Sequence, residues 1–112
     1  MNENISVDLS RIKERSVFRS FVDRHEERVR NICFRFLNDR EDAEEVAQDV
    51  FVEVYRSVDR FRGESDIATW VYRIAVTRSI DFLRKKKRHK RFGLVKKMLG
   101  LTEVENELAA PE

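Results

Sequence analysis

The sequence predicts an all-α fold, a compact bundle of three main helices with a flexible C-terminal linker. Only 3 glycines and 1 proline occur in 112 residues, so signals for strands and tight turns are few. Hydrophobic residues make up 41% of the chain and charged residues 39%, as in globular proteins with a heavily charged surface. Apolar residues recur every three or four positions over long stretches, which is the period of a helix packed on one face. The length suits one domain with a modest core.

The first long helix is predicted to begin near Ser16, after an N-terminal extension or short helix over residues 1–15. Its apolar face is formed by Phe18, Phe21, Val22, His25, Val29, Ile32, Cys33, Phe36 and Leu37. Cys33 is the only cysteine, so the sequence excludes an intrachain disulfide and a multi-cysteine metal site. Its place on the apolar face favours a buried thiol that acts as a small hydrophobic group.

The second helix is predicted to begin after Asp39, a good N-cap with Asp42 three residues later. Its inward positions are Ala43, Val46, Ala47, Val50, Phe51, Val54, Tyr55 and Val58. Its exposed side carries Glu41, Glu45, Gln48, Asp49 and Val52. The helix is therefore predicted to be amphipathic, with an acidic outer face.

The third helix follows a polar loop over residues 59–66, in which Gly63 is the expected turn residue and Ser65 or Asp66 the helix cap. Apolar residues surround most of the first half of this helix, so we expect it to lie centrally with neighbours on most sides. One sector of the helix surface, roughly 100° wide, remains available for a ligand. It holds Trp70, Arg73, Thr77, Ile80, Arg84, Lys87, Arg88 and Arg91. An aromatic ring, a hydroxyl group and several cations on one stripe favour nucleic acid as the ligand.

The net charge of +2 hides two oppositely charged segments. Residues 39–53 contain seven acids and one arginine, whereas residues 84–91 contain seven cations, one histidine and no acid. This division suggests two different partners. No apolar run approaches the ~20 residues of a membrane span, and no signal-peptide core begins the chain, so we expect a cytoplasmic protein without membrane insertion.

The residue types give no indication of an enzyme, a metal site or a cofactor. His25 and His89 are far apart, and no carboxylate pair or glycine-rich phosphate loop accompanies them. His25 and Cys33 lie about two turns apart on one helix, too far for a compact metal chelate. We therefore expect a binding domain over residues 16–92, followed by a linker or tail over residues 93–112.

Three motifs occur in order along the chain: DAEEVAQDVF at residues 42–51, FRGES at 61–65 and TWVYRIAVTR at 69–78. Together they resemble region two of bacterial RNA polymerase sigma factors, most closely the extracytoplasmic-function (ECF) group. The resemblance covers residues 16–91. It implies a transcription initiation factor domain that docks on core RNA polymerase and recognises the minus-ten promoter element. Such a domain melts that element by capturing unpaired bases of the nontemplate strand.

The resemblance also assigns roles to residues of the second helix. Glu45, Gln48 and Asp49 match the surface that docks on the clamp helices of the polymerase beta-prime subunit. An acidic patch with a central amide suits a basic coiled-coil partner and repels DNA. A solvated helix face would carry the same charges, and only the family match favours the docking surface over it.

The promoter-contacting positions that the resemblance implies are Arg62, Gly63, Ser65, Trp70, Arg73, Thr77, Arg84, Lys87 and Arg88. The loop that begins at Arg62 matches the element that receives a flipped base, for which small residues allow close approach. Trp70 matches an aromatic residue at the duplex edge, with a core-capping tryptophan as the alternative. The basic block at 84–91 matches a segment that binds upstream duplex phosphates without reading sequence.

The chain departs from the family pattern in three respects. Thr77 stands where many ECF members have asparagine, which affects the expected base preference. Ile67 and Ala68 stand where relatives often carry aromatic residues, which weakens stacking there. The second helix-turn-helix domain of the family, which reads the minus-thirty-five element, is absent from these 112 residues, and we expect truncation to be the reason.

Two other functions fit the same features. One is a helical interaction module whose main task is to be held by an inhibitor protein, and an anti-sigma factor that covers both surfaces is therefore a further candidate partner. The other is a nonspecific basic DNA-binding helix. Steep salt dependence with no preference among single strands would favour the latter.

Overall fold

The computed structural model describes residues 11–100, and this part of the chain is almost entirely helical. It contains α1 (Arg15–Leu37), α2 (Arg40–Ser57), a 3₁₀ turn at Val58–Arg60 and α3 (Ile67–Leu99). No strand occurs among the described residues. The predicted all-α fold with three main helices is confirmed. The chain divides into two compact units, Met1–Phe82 and Leu83–Glu112, which are described separately below.

The turn between α1 and α2 uses two residues with complementary roles. Asn38 adopts a left-handed conformation with φ 53°, and its N–H bonds to the carbonyl of Phe34, which ends α1. The Asp39 side chain accepts a hydrogen bond of 2.9 Å from the N–H of Asp42, as predicted for the N-cap of α2. So short a connection makes α1 and α2 antiparallel neighbours, and they form the most closely packed pair of helices.

The core of the first unit lies between the apolar faces of these helices and the start of α3. Its buried apolar residues are Ile12, Phe21, Val29, Cys33, Leu37, Ala43, Val46, Ala47, Val50, Phe51, Val54, Val58, Ile67, Val71 and Ala75. The predicted burial of Cys33 is confirmed, and burial raises the pKa of its thiol. His25 is also buried, with Nδ1 3.2 Å from the hydroxyl oxygen of Tyr72.

Two residues predicted to face inward are exposed. Phe36 is 38% exposed and Tyr55 is 41% exposed, because both lie at the edge of their apolar stripes. The ring of Tyr55 packs edge-on against Phe18 of α1, with the ring centroids 5.1 Å apart. Periodicity alone does not separate the centre of an apolar stripe from its edge.

The part of α3 within the first unit is buried along Ile67, Val71, Ala75 and Ser79 and is half-buried on both flanks. It contacts α1 through Tyr72 and α2 through the ion pair of Arg78 with Glu53. The helix then continues without interruption through Gly93 to Leu99. The sequence predicted a linker or tail from residue 93, but residues 93–99 belong to α3, because one interior glycine costs only about 1 kcal/mol and does not break a long helix. Residues 1–10 and 101–112 lie outside the described residues, so the expectations for the N-terminal extension and most of the linker are not addressed.

Candidate functional site

The loop between α2 and α3 turns at Gly63, which has φ +76°, a conformation that favours glycine. Arg62 and Gly63 are exposed, and Ser65 is half-buried. The Ser65 hydroxyl donates a hydrogen bond of 3.2 Å to the carbonyl of Asp66. That carbonyl also accepts the N–H of Trp70 at 3.0 Å, the first hydrogen bond of α3. The loop is thus fixed to the beginning of the helix.

Trp70 joins this loop to α3 through its side chain. Its indole is half-buried, and its ring lies 5.1 Å from the ring of Phe61 at an interplanar angle of 43°. Aromatic pairs in such tilted arrangements stabilise each other beyond simple burial. The indole therefore has a fixed position at the loop, and both alternatives for Trp70, a structural ring and a stacking surface, are compatible with it.

A pocket of about 450 Å³ opens beside Trp70 in the first unit. It is lined by Glu53, Trp70, Arg73, Ile74, Thr77, Arg78 and Asp81. Three members of the predicted stripe, Trp70, Arg73 and Thr77, thus share one pocket. The loop residues Arg62, Gly63 and Ser65 are not part of its lining. The pocket offers a ring, a hydroxyl group and charges of both signs, which suits a nucleobase with its sugar better than phosphate alone.

A polar cluster that links α2 to α3 supports the wall of this pocket, and sequence reasoning missed it. Arg78 Nη2 lies 2.7 Å from Glu53 Oε1, the Ser57 hydroxyl donates to the other Glu53 oxygen, and Arg60 Nη2 donates to the Ser57 oxygen at 3.0 Å. The hydrogen bond from Ser57 holds the pKa of Glu53 below its usual value, and the charges of Arg78 and Arg60 add to this effect. No sequence signal predicts an ion pair between residues 25 positions apart.

The acidic face of α2 carries the three residues predicted for a second surface. Glu45, Gln48 and Asp49 are exposed, and their spacing of three and four places them on one side of the helix. Val52, one turn further on, is 48% exposed. This face is therefore a continuous acidic surface that ends in an apolar residue.

A groove of about 340 Å³ between α1 and α2 lies alongside this face. Its lining consists of Phe18, Val22, Glu26, Arg30, Glu44, Ala47, Gln48, Phe51, Val52, Tyr55 and Arg56. Gln48 belongs to the lining, whereas Glu45 and Asp49 do not. Sequence reasoning missed the contribution of α1, because it placed Phe18 and Val22 in the core. Their helical periodicity is that of core residues, so the sequence contains no signal that they line a groove.

The second unit contributes the remaining predicted residues. Arg84, Lys87 and Arg88 are exposed on α3, as are all other residues of the basic block at 84–91. Such a set of cations binds phosphates through charge rather than shape. Within residues 11–100 there is no cluster of three or more metal-ligating side chains, and no helix there is long and apolar enough to cross a membrane.

Comparison with known protein families decides the relationship that the motifs suggested. The family model described as Sigma-70 region 2 matches residues 21–89, more than half of the chain. The chain belongs to this family. The predicted resemblance is thereby confirmed, and the match includes the acidic face of α2, the loop at Gly63 and the pocket at Trp70.

Similar sigma factors come from several bacteria. This region-two chain is 35% identical over 74 residues to the ECF RNA polymerase sigma factor SigW of Bacillus subtilis, with 66% of this chain and 40% of SigW covered. It is 37% identical over 70 residues to the ECF sigma-E factor of Haemophilus influenzae, with 62% and 36% covered. The chain thus spans about two fifths of the length of these relatives.

A solved structure has the same fold. It is an engineered region 2 of sigmaE determined by NMR in complex with GTAAAA. The TM-score is 0.69 at 26% sequence identity, and the alignment covers 80% of this chain and 97% of the other. The helical arrangement of α1, α2 and α3 is therefore that of a sigma region-two domain.

Proposed function

We propose that this chain is the region-two domain of an ECF transcription initiation factor. In this role it binds core RNA polymerase through α2 and captures unpaired bases of the minus-ten nontemplate strand at the loop and pocket of α3. The observation that carries the proposal is the shared pocket of Trp70, Arg73 and Thr77 in a chain whose solved structural relative was determined with GTAAAA. A factor with these partners acts in the cytoplasm and performs no chemical step of its own.

The physical argument for base capture begins with the position of Trp70. Its ring contacts Phe61 and also lines the pocket, so the part that faces the pocket is available for a stacked base. Stacking contributes about 1–3 kcal/mol per base, which is comparable with the cost of unstacking one step of a duplex. Melting by this domain therefore consists of trapping an opened state.

The charges around the pocket decide how a strand would lie. Glu53 and Asp81 place carboxylates in the lining, and carboxylates repel phosphate groups. Arg73 is exposed on the same side of α3 and offers a cation to the backbone of the strand. We therefore expect phosphates to lie on the Arg73 side and a base or sugar to enter the pocket near Thr77.

Binding of short single strands to the full chain tests base capture. A fluorescently labelled GTAAAA strand is titrated with wild type, Trp70→Ala and Ser65→Trp, and a scrambled strand serves as reference. The Trp70→Ala variant loses the stacking surface, so it should bind GTAAAA about 5- to 150-fold more weakly than wild type, which corresponds to about 1–3 kcal/mol. Tyr55→Ala, which removes a more exposed aromatic ring from the α1–α2 groove, should leave binding unchanged.

Two outcomes of that titration would contradict base capture. Equal losses on GTAAAA and on the scrambled strand would reduce the site to an electrostatic patch. A steep salt dependence without preference among the strands would favour the nonspecific basic DNA-binding helix instead.

The proposed polymerase-binding surface consists of the acidic face of α2 and the groove beside it. An exposed amide at Gln48 lies between two acids and on the edge of a partly apolar groove. A basic helical partner gains charge complementarity from Glu45 and Asp49 and apolar contact along the groove. We propose that the clamp helices of beta-prime are this partner, and that an anti-sigma factor would compete with them for the same face of α2.

A pull-down with a beta-prime clamp-helix fragment tests the polymerase side. The double variant Gln48→Ala with Asp49→Arg should lose the fragment while keeping the far-ultraviolet circular dichroism of a helical fold. Glu27→Arg, a charge reversal on the exposed side of α1 outside the groove, is the matched control and should bind normally. Undiminished binding by the double variant would remove this surface from the proposal.

A further inference from the structure

The C-terminal part of α3 combines two properties that phosphate binding alone does not require. Residues 84–99 contain nine lysines and arginines and no acid. The same stretch presents five large apolar side chains to solvent, with 45% to 75% of each exposed. They are Phe92, Leu94, Val95, Met98 and Leu99. Duplex phosphates would satisfy the cations but would leave this apolar set in water, so a different or additional occupant is indicated.

The apolar set has a helical arrangement suited to another segment. Phe92, Val95 and Leu99 follow each other at spacings of three and four, so they share one face of α3. Leu94 and Met98 extend this face on its neighbouring side at a spacing of four. The Lys96 ammonium lies over the ring of Phe92, 4.7 Å from its centroid, within the same region. An occupant would therefore need apolar residues at helical spacing together with negative charge.

The end of α3 at Gly100 has the geometry of a chain reversal. Gly100 has φ +72°, and its N–H bonds to the carbonyl of Lys97 at 3.2 Å. This bond, with a left-handed glycine immediately after the last helical residue, is one of the two bonds of a Schellman helix end, after which the chain reverses direction. A segment that follows a helix end of this kind can return along the face of the helix.

The sequence of residues 101–112, which lie outside the described residues, has the required chemistry. It contains Glu103, Glu105, Glu107 and Glu112, and it has no lysine or arginine. Leu101, Val104 and Leu108 repeat at spacings of three and four. Twelve residues span about 18 Å as a helix and about 40 Å when extended, while Arg91 lies about 14 Å from Gly100 along α3. The segment is long enough to reach the basic block.

We propose that residues 101–112 dock on the C-terminal part of α3, with their glutamates against the basic block and their apolar residues on the Phe92–Leu99 face. In the docked state the segment competes with nucleic-acid phosphates for the same cations. The docking itself does not depend on the proposed function, whereas the competition rests on the assignment of the basic block to phosphate binding.

The test uses the full chain and a variant in which Glu103, Glu105, Glu107 and Glu112 are all changed to glutamine. A second variant ends at Gly100. The control carries D23N, E27Q, E41Q and D59N, which removes the same charge from exposed acids of the first unit. Docking is read from the methyl NMR signal of Met98, since the chain has only two methionines and M98L assigns the signal. Competition is read from binding of a random-sequence DNA duplex.

Docking predicts that the glutamine variant shifts the Met98 signal and that the control does not. Competition predicts that both tail variants bind the duplex about tenfold more tightly at 50 mM salt, with the difference shrinking as salt screens the charges. An unchanged Met98 signal would overturn the docking without affecting the proposed function. A shifted signal with unchanged duplex affinity would overturn the competition and, with it, the assignment of the block to phosphates.

Discussion

Gly63 gives the sharpest test of the loop that precedes α3. Its φ of +76° lies in the left-handed region, and a Cβ atom added there would meet no other atom within 4 Å. A substitution therefore changes the backbone energy and nothing in the packing. Placing an L-alanine in this region costs about 1–2 kcal/mol, and the smaller entropy of the unfolded chain returns about 0.4–1 kcal/mol. Gly63→Ala should thus lower the free energy of unfolding by about 1 kcal/mol.

Urea denaturation followed by circular dichroism at 222 nm measures this change, and a thermal scan should show a Tm lower by about 4 °C. Gly63→Asn is the matched variant, because asparagine tolerates the left-handed conformation, and it should cost clearly less than alanine. Gly93→Ala makes the same chemical change within α3, also with open space around the added Cβ. There alanine should be neutral or stabilising by up to about 1 kcal/mol.

The reasoning about Gly63 would be refuted by either of two results. The first is a Gly63→Ala chain as stable as wild type, which would mean that the loop does not need a positive φ. The second is an equal loss for asparagine and alanine, which would point to a cause other than backbone conformation. A normal stability with weakened GTAAAA binding would place the role of Gly63 in the complex alone.

Three further predictions concern single interactions. Glu53→Gln weakens the ion pair with Arg78 and should lower the free energy of unfolding by about 1 kcal/mol at pH 7. Because the folded-state pKa of Glu53 is lowered, this contribution is present above its unfolded pKa of about 4.3 and is lost as pH falls through the folded-state pKa. Urea denaturation at a series of pH values from 7 to 3 measures the loss. Cys33, buried with a raised pKa, should react with a disulfide reagent only as fast as the protein opens, so reaction at the rate of the unfolded chain would contradict its burial. Asp39→Ala removes the hydrogen bond to Asp42 and should lower the free energy of unfolding by about 1 kcal/mol, while Asp39→Ser should restore most of it.

Local chemistry explains which parts of this fold were predictable. The Asp39 cap depends on a side chain that reaches a backbone N–H three residues away, and the turn at Gly63 depends on one residue's own φ. The stripe of Trp70, Arg73 and Thr77 follows from helical periodicity, and the structure places all three in one pocket. Such features involve neighbours along the chain, so the sequence carries them directly.

Other features depend on residues that only the fold brings together. Tyr55 and Phe36 have the periodicity of core residues, yet the packing of α1 on α2 leaves them at the edge. Ser79 is polar, yet it lies on the buried stripe of α3. A hydrophobic pattern gives the direction of a face but not its width, because the width is set by the partner helix.

The sequence by itself determined the helical class, the helix cap, the loop turn, the polarity of the two surfaces and the family through three motifs. Tertiary structure alone decided that Glu53 of α2 pairs with Arg78 of α3, that Phe61 supports Trp70, and that a groove with apolar walls accompanies Gln48. The physical reason is the distance along the chain over which each kind of interaction acts. Periodicity and capping act within one or two helical turns, whereas a pocket wall or a groove forms only when distant segments pack together.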